Sequence, residues 1–290
     1  MSRVRAFGQM IRFEHTIFAL PFAYMGMVLA WGSWDEANWW DFLWITVAMA
    51  AARTAAMALN RYIDRFIDAG NPRTANRPIQ TGTISATTVL LWAVLSLLLL
   101  GVAAWMLNPL AFLLFPGAVI FLVGYAYTKR FTWLCHYILG FTDGLAPAGA
   151  WVAVRGSLFT TEDLPAWLLL AAVTFWIGGF DVLYACQDVE FDRESGLHSI
   201  PARFGIPAAL RIAALSHILT VALMIALALV ATLAWPYWLG LVIMTALLVY
   251  EHSLVRPDDL SKVDIAFFNI NGYISVVVFV GTLAAVLIGS

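Results

Sequence analysis

The most constraining feature of this sequence is the recurrence of apolar runs about as long as a membrane-spanning helix. A helix needs about 20 mostly apolar residues to cross the hydrocarbon core of a bilayer. Such runs recur along the whole chain, which predicts an all-α, polytopic membrane protein of about nine transmembrane helices. The predicted spans are 17–33, 42–60, 88–107, 110–127, 134–154, 166–186, 208–231, 237–250 and 268–288.

The composition excludes the other large classes of protein. Of the 290 residues, 62% are hydrophobic and 12% are charged, whereas soluble domains carry about 25% charged residues. The net charge of −2 gives no general attraction to nucleic acid. The two cysteines provide neither a disulfide framework nor a zinc ligand set. No linker or low-complexity stretch divides the chain, so residues 1–290 are predicted to form a single transmembrane domain.

The distribution of basic residues predicts the orientation. If the N-terminus is cytoplasmic, all of the 16 Lys and Arg residues except Arg53 and Arg155 fall on the cytoplasmic side. This bias is typical of the loops that stay in the cytoplasm. We therefore expect a multi-pass protein of the inner (plasma) membrane whose partner is the lipid bilayer. No obligatory protein partner is evident.

Two acidic stretches continue the second and sixth predicted spans toward the cytoplasm. The first carries polar groups at intervals of four residues: Asn60, Asp64 and Asp68. The second has intervals of seven and four: Asp181, Asp188 and Asp192. These intervals bring side chains to nearly the same face of a helix. Each stretch is followed by a Pro-containing turn, which suggests that the second and third helices repeat as the sixth and seventh.

This pattern points to magnesium-assisted chemistry on a diphosphate. Carboxylate and amide oxygens are hard ligands that suit Mg²⁺, and the ions would make diphosphate a better leaving group. A single pair of Asp residues at a helix end is usually solvated, but two copies in corresponding positions favour a metal site. Basic residues on the same side would complete a diphosphate cradle: Arg65, Arg73, Arg77, Lys129 and Arg130.

Together these motifs resemble the UbiA superfamily of intramembrane prenyltransferases. The resemblance rests on both acidic motifs in order and on the residues between them: Arg73-x₃-Arg77-Pro78, Tyr125-x₃-Lys129 and Asp181-x₂-Tyr184-Ala185. The segments 10–22 and 136–151 resemble the hydroxybenzoate-type branch. The resemblance implies nine helices around a central cavity with a cytoplasmic active site. It further implies transfer of a polyprenyl group from its diphosphate to an aromatic acid in quinone biosynthesis.

The resemblance also assigns roles to individual residues. Mg²⁺ would be bound on one side of the diphosphate by Asn60, Asp64 and Asp68, and on the other side by Asp188 and Asp192. The residues expected to contact the diphosphate are Arg73, Arg77, Tyr125 and Lys129. Asp64, Asp188 and Asp181 would be catalytic, with Asp181 stabilising the developing cation or deprotonating the acceptor. Arg53 would bind the acceptor carboxylate or a phosphate oxygen.

Several alternatives remain open from the sequence. The acceptor is 4-hydroxybenzoate or a dihydroxynaphthoate of menaquinone synthesis. Arg53 and the intramembrane Asp143 could instead be structural, with Arg53 paired to a buried acid. An ion-coupled secondary transporter would also show repeats and intramembrane acids, although its acids would lie nearer the membrane midplane. A phosphatidyl-alcohol transferase is disfavoured because Asp143-Gly144 lacks the arginine and the later aspartates of that pattern.

Overall fold

The protein is a bundle of long helices. The computed structural model describes the backbone of residues 16–289 and the side chains of residues 19–289, so positions 10–15 of the N-terminal motif lie outside it. Nine long helices occur in the described part, as predicted. They are α1 (Thr16–Trp31), α2 (Trp39–Ile63), α3 (Ala86–Leu107), α4 (Pro109–Thr128), α5 (Cys135–Arg155), α6 (Leu164–Ala185), α7 (Ile206–Val230), α8 (Trp235–Leu254) and α9 (Asn271–Gly289).

The lengths and surfaces of these helices suit a bilayer. Within residues 16–289, seven helical segments are long and apolar enough to cross a membrane. The described part of α1 is shorter, and α5 carries polar residues such as Asp143 along its length. Large apolar side chains such as Leu98 and Trp105 on α3 are exposed on the outside of the bundle. Exposed apolar surface of this extent indicates an integral membrane protein.

Asparagine and serine side chains cap the N-termini of several helices. Asn38 accepts a hydrogen bond from the backbone of Trp40, and Ser85 accepts one from Thr88. Asn108 caps α4 in the same way and also donates its amide to the carbonyls of Val152 and Ala153 on α5. Such caps satisfy backbone N–H groups that have no partner within a helix. The Asn108 cap therefore also joins α4 to α5.

The two acidic stretches are not continuous helices, so that part of the sequence interpretation was wrong. α2 ends at Ile63, and a short helix covers Arg65–Gly70. After α6, a 3₁₀ turn leads into the short helix Val189–Glu194. The residue at each break is an aspartate of similar backbone geometry: Asp64 at φ −88° and ψ 2°, and Asp188 at φ −103° and ψ 6°. Both lie in the sparsely populated region between helix and strand conformations.

Close approach of α5 to α6 depends on glycine. A Cβ atom on Gly140 would overlap the carbonyl oxygen of Thr174 on α6, and one on Gly178 would overlap the ring of Tyr137. α5 also packs on α1 and α4, and α6 packs on α7. The α5–α6 pair therefore lies at the centre of the bundle, and small residues allow its backbones to approach.

We predict that Gly140→Ala destabilises the protein, whereas Gly149→Ala on the same helix does not. The first substitution overpacks a backbone contact, which costs about 1–3 kcal/mol. Gly149 is exposed with no neighbour near its Cβ position, and alanine is the better helix former. Thermal unfolding in detergent measures the difference. Equal midpoints for the two variants would contradict the close approach of α5 and α6.

Candidate active site

A cavity of about 330 Å³ opens at the end of the bundle where α2 and α6 break. Side chains from α1, α2, α4, α5, α6 and the segment before α9 line it. The structure brings to this one cavity every side chain to which the family resemblance assigned an ion, a substrate or a catalytic role. These are Arg53, Asn60, Asp64, Asp68, Arg73, Arg77, Tyr125, Lys129, Asp181, Asp188 and Asp192.

The first acidic motif is surrounded by cations. Asp64 is buried, with 2% of its surface exposed. Its carboxylate accepts hydrogen bonds from Lys129 Nζ at 2.6 Å, Arg130 Nη2 at 3.0 Å and Asn60 Nδ2 at 3.2 Å. One turn further on, Asp68 forms an ion pair with Arg77. Burial of these carboxylates is therefore compensated by charge-assisted hydrogen bonds.

Asp188 of the second motif is bound to the loop that follows the first. Arg73 contacts both carboxylate oxygens of Asp188, with Nε 3.0 Å from Oδ1. Nη1 of Arg73 also donates to the Tyr184 hydroxyl at 3.0 Å, and Asn71 Nδ2 donates to Asp188 Oδ1 at 3.0 Å. Burial alone would lower the pKa of Arg73, but the hydrogen bond to Asp188 and the electrostatic effects of Tyr184, Asp188 and Asp68 together outweigh it and raise that pKa. Arg73 therefore stays charged, and it joins the two motifs.

The other two acids of the second motif have different partners. Asp192 accepts a hydrogen bond from Ser199 Oγ at 2.7 Å. Asp181 lies earlier on α6 and is 2.7 Å from Nδ1 of His136 on α5. Asp181 therefore differs from Asp64, Asp68 and Asp188 in having a histidine, not an arginine or lysine, at contact distance.

Arg53 lines the cavity from α2 without an ion-pair partner among the described residues. Its Nε atom is buried and makes no hydrogen bond within that part of the chain. Asp143 on α5 lines the same cavity but lies beyond 4.0 Å, so the two do not form a salt bridge. A half-buried guanidinium whose buried Nε donor is unused is suited to an anionic group of a ligand.

Aromatic side chains form one wall of the cavity, which we call the aromatic wall: Phe180, Tyr184, Phe267 and Phe268. The rings of Tyr184 and Phe267 are 4.2 Å apart, and those of Phe180 and Phe267 are 5.1 Å apart. Phe267 and Phe268 belong to a π-helical segment, Ile265–Ile270. Such segments occur frequently at functional sites.

Sequence reasoning missed some of these residues and misplaced others. Tyr184 and His136 lie within the segments quoted for the resemblance but received no role, and no pattern pointed to Asn71. Among the predicted cradle residues, Arg65 is outside the cavity, where it donates to the Tyr62 carbonyl and stacks on the Phe66 ring. Arg130 also does not line the cavity, but its Nη2 donates a hydrogen bond to the Asp64 carboxylate.

The charges of the cavity favour a ligand that carries both signs. Several acidic and several basic side chains line the cavity, and each aspartate of the first motif already contacts a basic side chain. A divalent cation alone would leave the basic side chains without a negatively charged partner, and an anion alone would leave the carboxylates without a positively charged one. A magnesium salt of a diphosphate supplies positive charge to the carboxylates and negative charge to the bases, while the aromatic wall offers an apolar surface.

Comparison with known proteins agrees with this geometry. The profile of the UbiA prenyltransferase family matches residues 19–273. The chain is 31% identical to a 4-hydroxybenzoate octaprenyltransferase of Xanthomonas oryzae pv. oryzae, over 98% of this chain and 93% of that one. It is 30% identical to the protein of the same name from Xylella fastidiosa, over 88% and 85% of the two chains.

Solved structures share the fold. The apo structure of a UbiA homolog from Aeropyrum pernix K1 is similar with a TM-score of 0.85 and 32% identity, over 93% of this chain and 98% of that one. A UbiA homolog from Archaeoglobus fulgidus bound to DMAPP and Mg²⁺ is similar in fold, with a TM-score of 0.68, 19% identity and coverage of 97% and 98%. With the family profile spanning most of the sequence, the chain belongs to the UbiA prenyltransferase family.

Proposed function

We propose that this enzyme transfers a polyprenyl group from polyprenyl diphosphate to the ring of an aromatic carboxylate, 4-hydroxybenzoate, in quinone biosynthesis. The observation that carries the proposal is the convergence of both acidic motifs and their cations on one cavity with an aromatic wall. Relatives that share about a third of their residues with this chain are named 4-hydroxybenzoate octaprenyltransferases. Their names favour hydroxybenzoate over a dihydroxynaphthoate as the acceptor.

The donor set fits Mg²⁺ bound together with a diphosphate. Asn60, Asp64 and Asp68 would hold Mg²⁺ on one side, and Asp188 and Asp192 on the other. Among the described residues, no three acidic, His or Cys side chains are grouped closely enough to bind an ion by themselves. This arrangement suits Mg²⁺, which is usually bound through one or two carboxylates plus water and phosphate oxygens. When bound, Mg²⁺ neutralises the diphosphate and makes it a better leaving group.

Cations of the cavity would bind the diphosphate oxygens. Arg73, Arg77 and Lys129 already contact carboxylates of the two motifs, so each is close to where the diphosphate is expected. The Tyr125 hydroxyl, which donates to the carbonyl of Ala56 at 3.3 Å, lines the same cavity as Lys129. Positioned donors of this kind stabilise the charge that develops on the leaving group.

The reaction forms one carbon–carbon bond. The bond between prenyl C1 and the diphosphate oxygen breaks, and its electron pair leaves with the diphosphate. A ring carbon of the acceptor then bonds to C1, and the ring loses a proton. Asp181 lies beyond the diphosphate residues, where its carboxylate can stabilise the allylic cation or accept that proton. The aromatic wall and the surrounding lipid exclude water that would capture the cation.

Arg53 is the residue we assign to the acceptor carboxylate. It has an unused buried donor and no ion-pair partner among the described residues, whereas the cations nearer the opening already contact acids. We further propose that the cavity opens to the cytoplasm, because the loops at that end carry most of the basic residues. The chain would then be a single domain of the inner membrane with its N-terminus in the cytoplasm.

We predict that Asp64→Asn and Asp188→Asn each lower turnover at least about 100-fold. Each substitution removes a charge expected to bind Mg²⁺ while keeping the size of the side chain. The assay follows release of diphosphate and formation of prenylated 4-hydroxybenzoate by purified protein, with Mg²⁺ and after chelation. Glu162→Gln is the matched control, because Glu162 is an exposed acid paired with Arg155 outside the cavity.

Wild-type rates in either Asp variant would refute the assignment of the acidic motifs. Absence of any product or diphosphate from the wild-type enzyme with Mg²⁺ and both substrates would refute the proposed function itself. Monodisperse elution in detergent shows that each variant is folded.

We predict that Arg53→Gln raises the KM for 4-hydroxybenzoate at least about tenfold while the KM for the prenyl donor changes less than about twofold. The reason is the loss of a charged donor for the carboxylate. Phenol, which lacks the carboxylate, should react equally slowly with wild type and variant. Arg65→Gln is the control, since Arg65 begins the short helix that follows α2 and lies outside the cavity. A larger effect on the prenyl donor would assign Arg53 to the diphosphate.

A further inference from the structure

Both ring nitrogens of His136 have a partner within the protein, and one of these partners is the Asp181 carboxylate. Nδ1 of His136 is 2.7 Å from Oδ2 of Asp181. The other ring nitrogen, Nε2, accepts a hydrogen bond from the backbone N–H of Ile200 at 3.2 Å. His136 is 3% exposed, and Ile200 is fully buried. Both ring nitrogens therefore have a fixed partner, and no water is needed to satisfy them.

These two contacts determine the form of the imidazole ring. A backbone N–H can only donate, so Nε2 must offer a lone pair to Ile200. In the neutral ring the proton is then on Nδ1, where it is donated to the Asp181 carboxylate. The remaining oxygen of Asp181 makes no hydrogen bond to the described residues. One oxygen is thus held by His136, and the other is left for the cavity.

We infer that His136 is a positioning residue that fixes the Asp181 carboxylate for the chemical step, and that the Ile200 N–H selects the tautomer. The inference rests on the proposed function, because it deepens the role given to Asp181. His136 acts through Asp181, whose rotation about its side-chain bonds would otherwise be limited only by packing. A misplaced catalytic group can cost about 100-fold in rate.

The partner of His136 belongs to a segment that also contacts the acidic motifs. Residues His198–Ile200 form what we call the strap. The backbone N–H of His198 donates to the carbonyl of Lys129 at 2.7 Å, and Ser199 Oγ donates to Asp192 at 2.7 Å. The strap thus joins the diphosphate end of the cavity to the ring that orients Asp181.

Two substitutions separate the two hydrogen bonds of His136. Asparagine places its amide nitrogen where Nδ1 was, so His136→Asn keeps a donor for Asp181 and loses the acceptor for Ile200. Glutamine reaches the position of Nε2, so His136→Gln keeps an acceptor for Ile200 and loses the donor for Asp181. A residue that only anchors the strap would tolerate glutamine better, whereas a positioning residue for Asp181 would tolerate asparagine better.

We expect His136→Gln to lower kcat by about 100-fold with little change in either KM, and His136→Asn to stay within about tenfold of wild type. In an Asp181→Asn background, His136→Gln should cause no further loss, because residues that act as one unit are not additive. The opposite order of the two variants would overturn the inference. So would multiplicative effects in the double variant.

A measurement without substrate tests the tautomer itself. In protein labelled with ¹⁵N-histidine, the NMR signals of His136 are identified by their loss in His136→Asn. We expect a neutral ring protonated at Nδ1, whose Nδ1 signal shifts in Asp181→Asn and not in the control Glu162→Gln. A ring protonated at Nε2 would overturn the inference even if the enzyme is active. Inactive wild-type enzyme with the expected tautomer would instead refute only the proposed function.

Discussion

The structure depends on the pairing of buried carboxylates with cations at one end of a membrane bundle. An ionisable group at this depth is costly unless a partner compensates for its lost hydration. Asp64 meets this requirement through Lys129, which joins α2 to the end of α4, and Asp188 through Arg73, which joins α6 to the loop after α2. The same contacts therefore assemble the site and hold its helices together.

The cavity has a charged end, where acidic and basic side chains pair, and an aromatic end. Acids and bases are concentrated near the breaks in α2 and α6, while Phe180 and Phe267 lie against each other beyond them. A diphosphate ester with a long apolar tail has the same division along its length. Because the bilayer surrounds the part of the protein that encloses the tail, this part needs no polar outer surface. The small share of charged residues in the chain agrees with this.

Much of the fold and part of the site could be predicted from the sequence because they depend on local patterns. Helix lengths follow from apolar runs, and the spacing of Asn60, Asp64 and Asp68 already grouped them at one site, although the helix breaks at Asp64. The directions of the Arg65 and Arg73 side chains could not be predicted, since one lies within the first acidic motif, the other lies just after it, and only tertiary contacts distinguish them. His136 was missed because its partners are on α6 and beyond, far away in the sequence.

The π-helical winding of Ile265–Ile270 has a consequence for how the cavity could be reshaped. A π turn holds one residue more than an α turn. Deleting a single residue there would restore ordinary winding and rotate the preceding side chains by about 100° around the axis. Phe267 and Phe268 would then point in a different direction relative to α9. The size of the space for a hydrocarbon tail thus depends on the number of residues between α8 and α9, as well as on their identity.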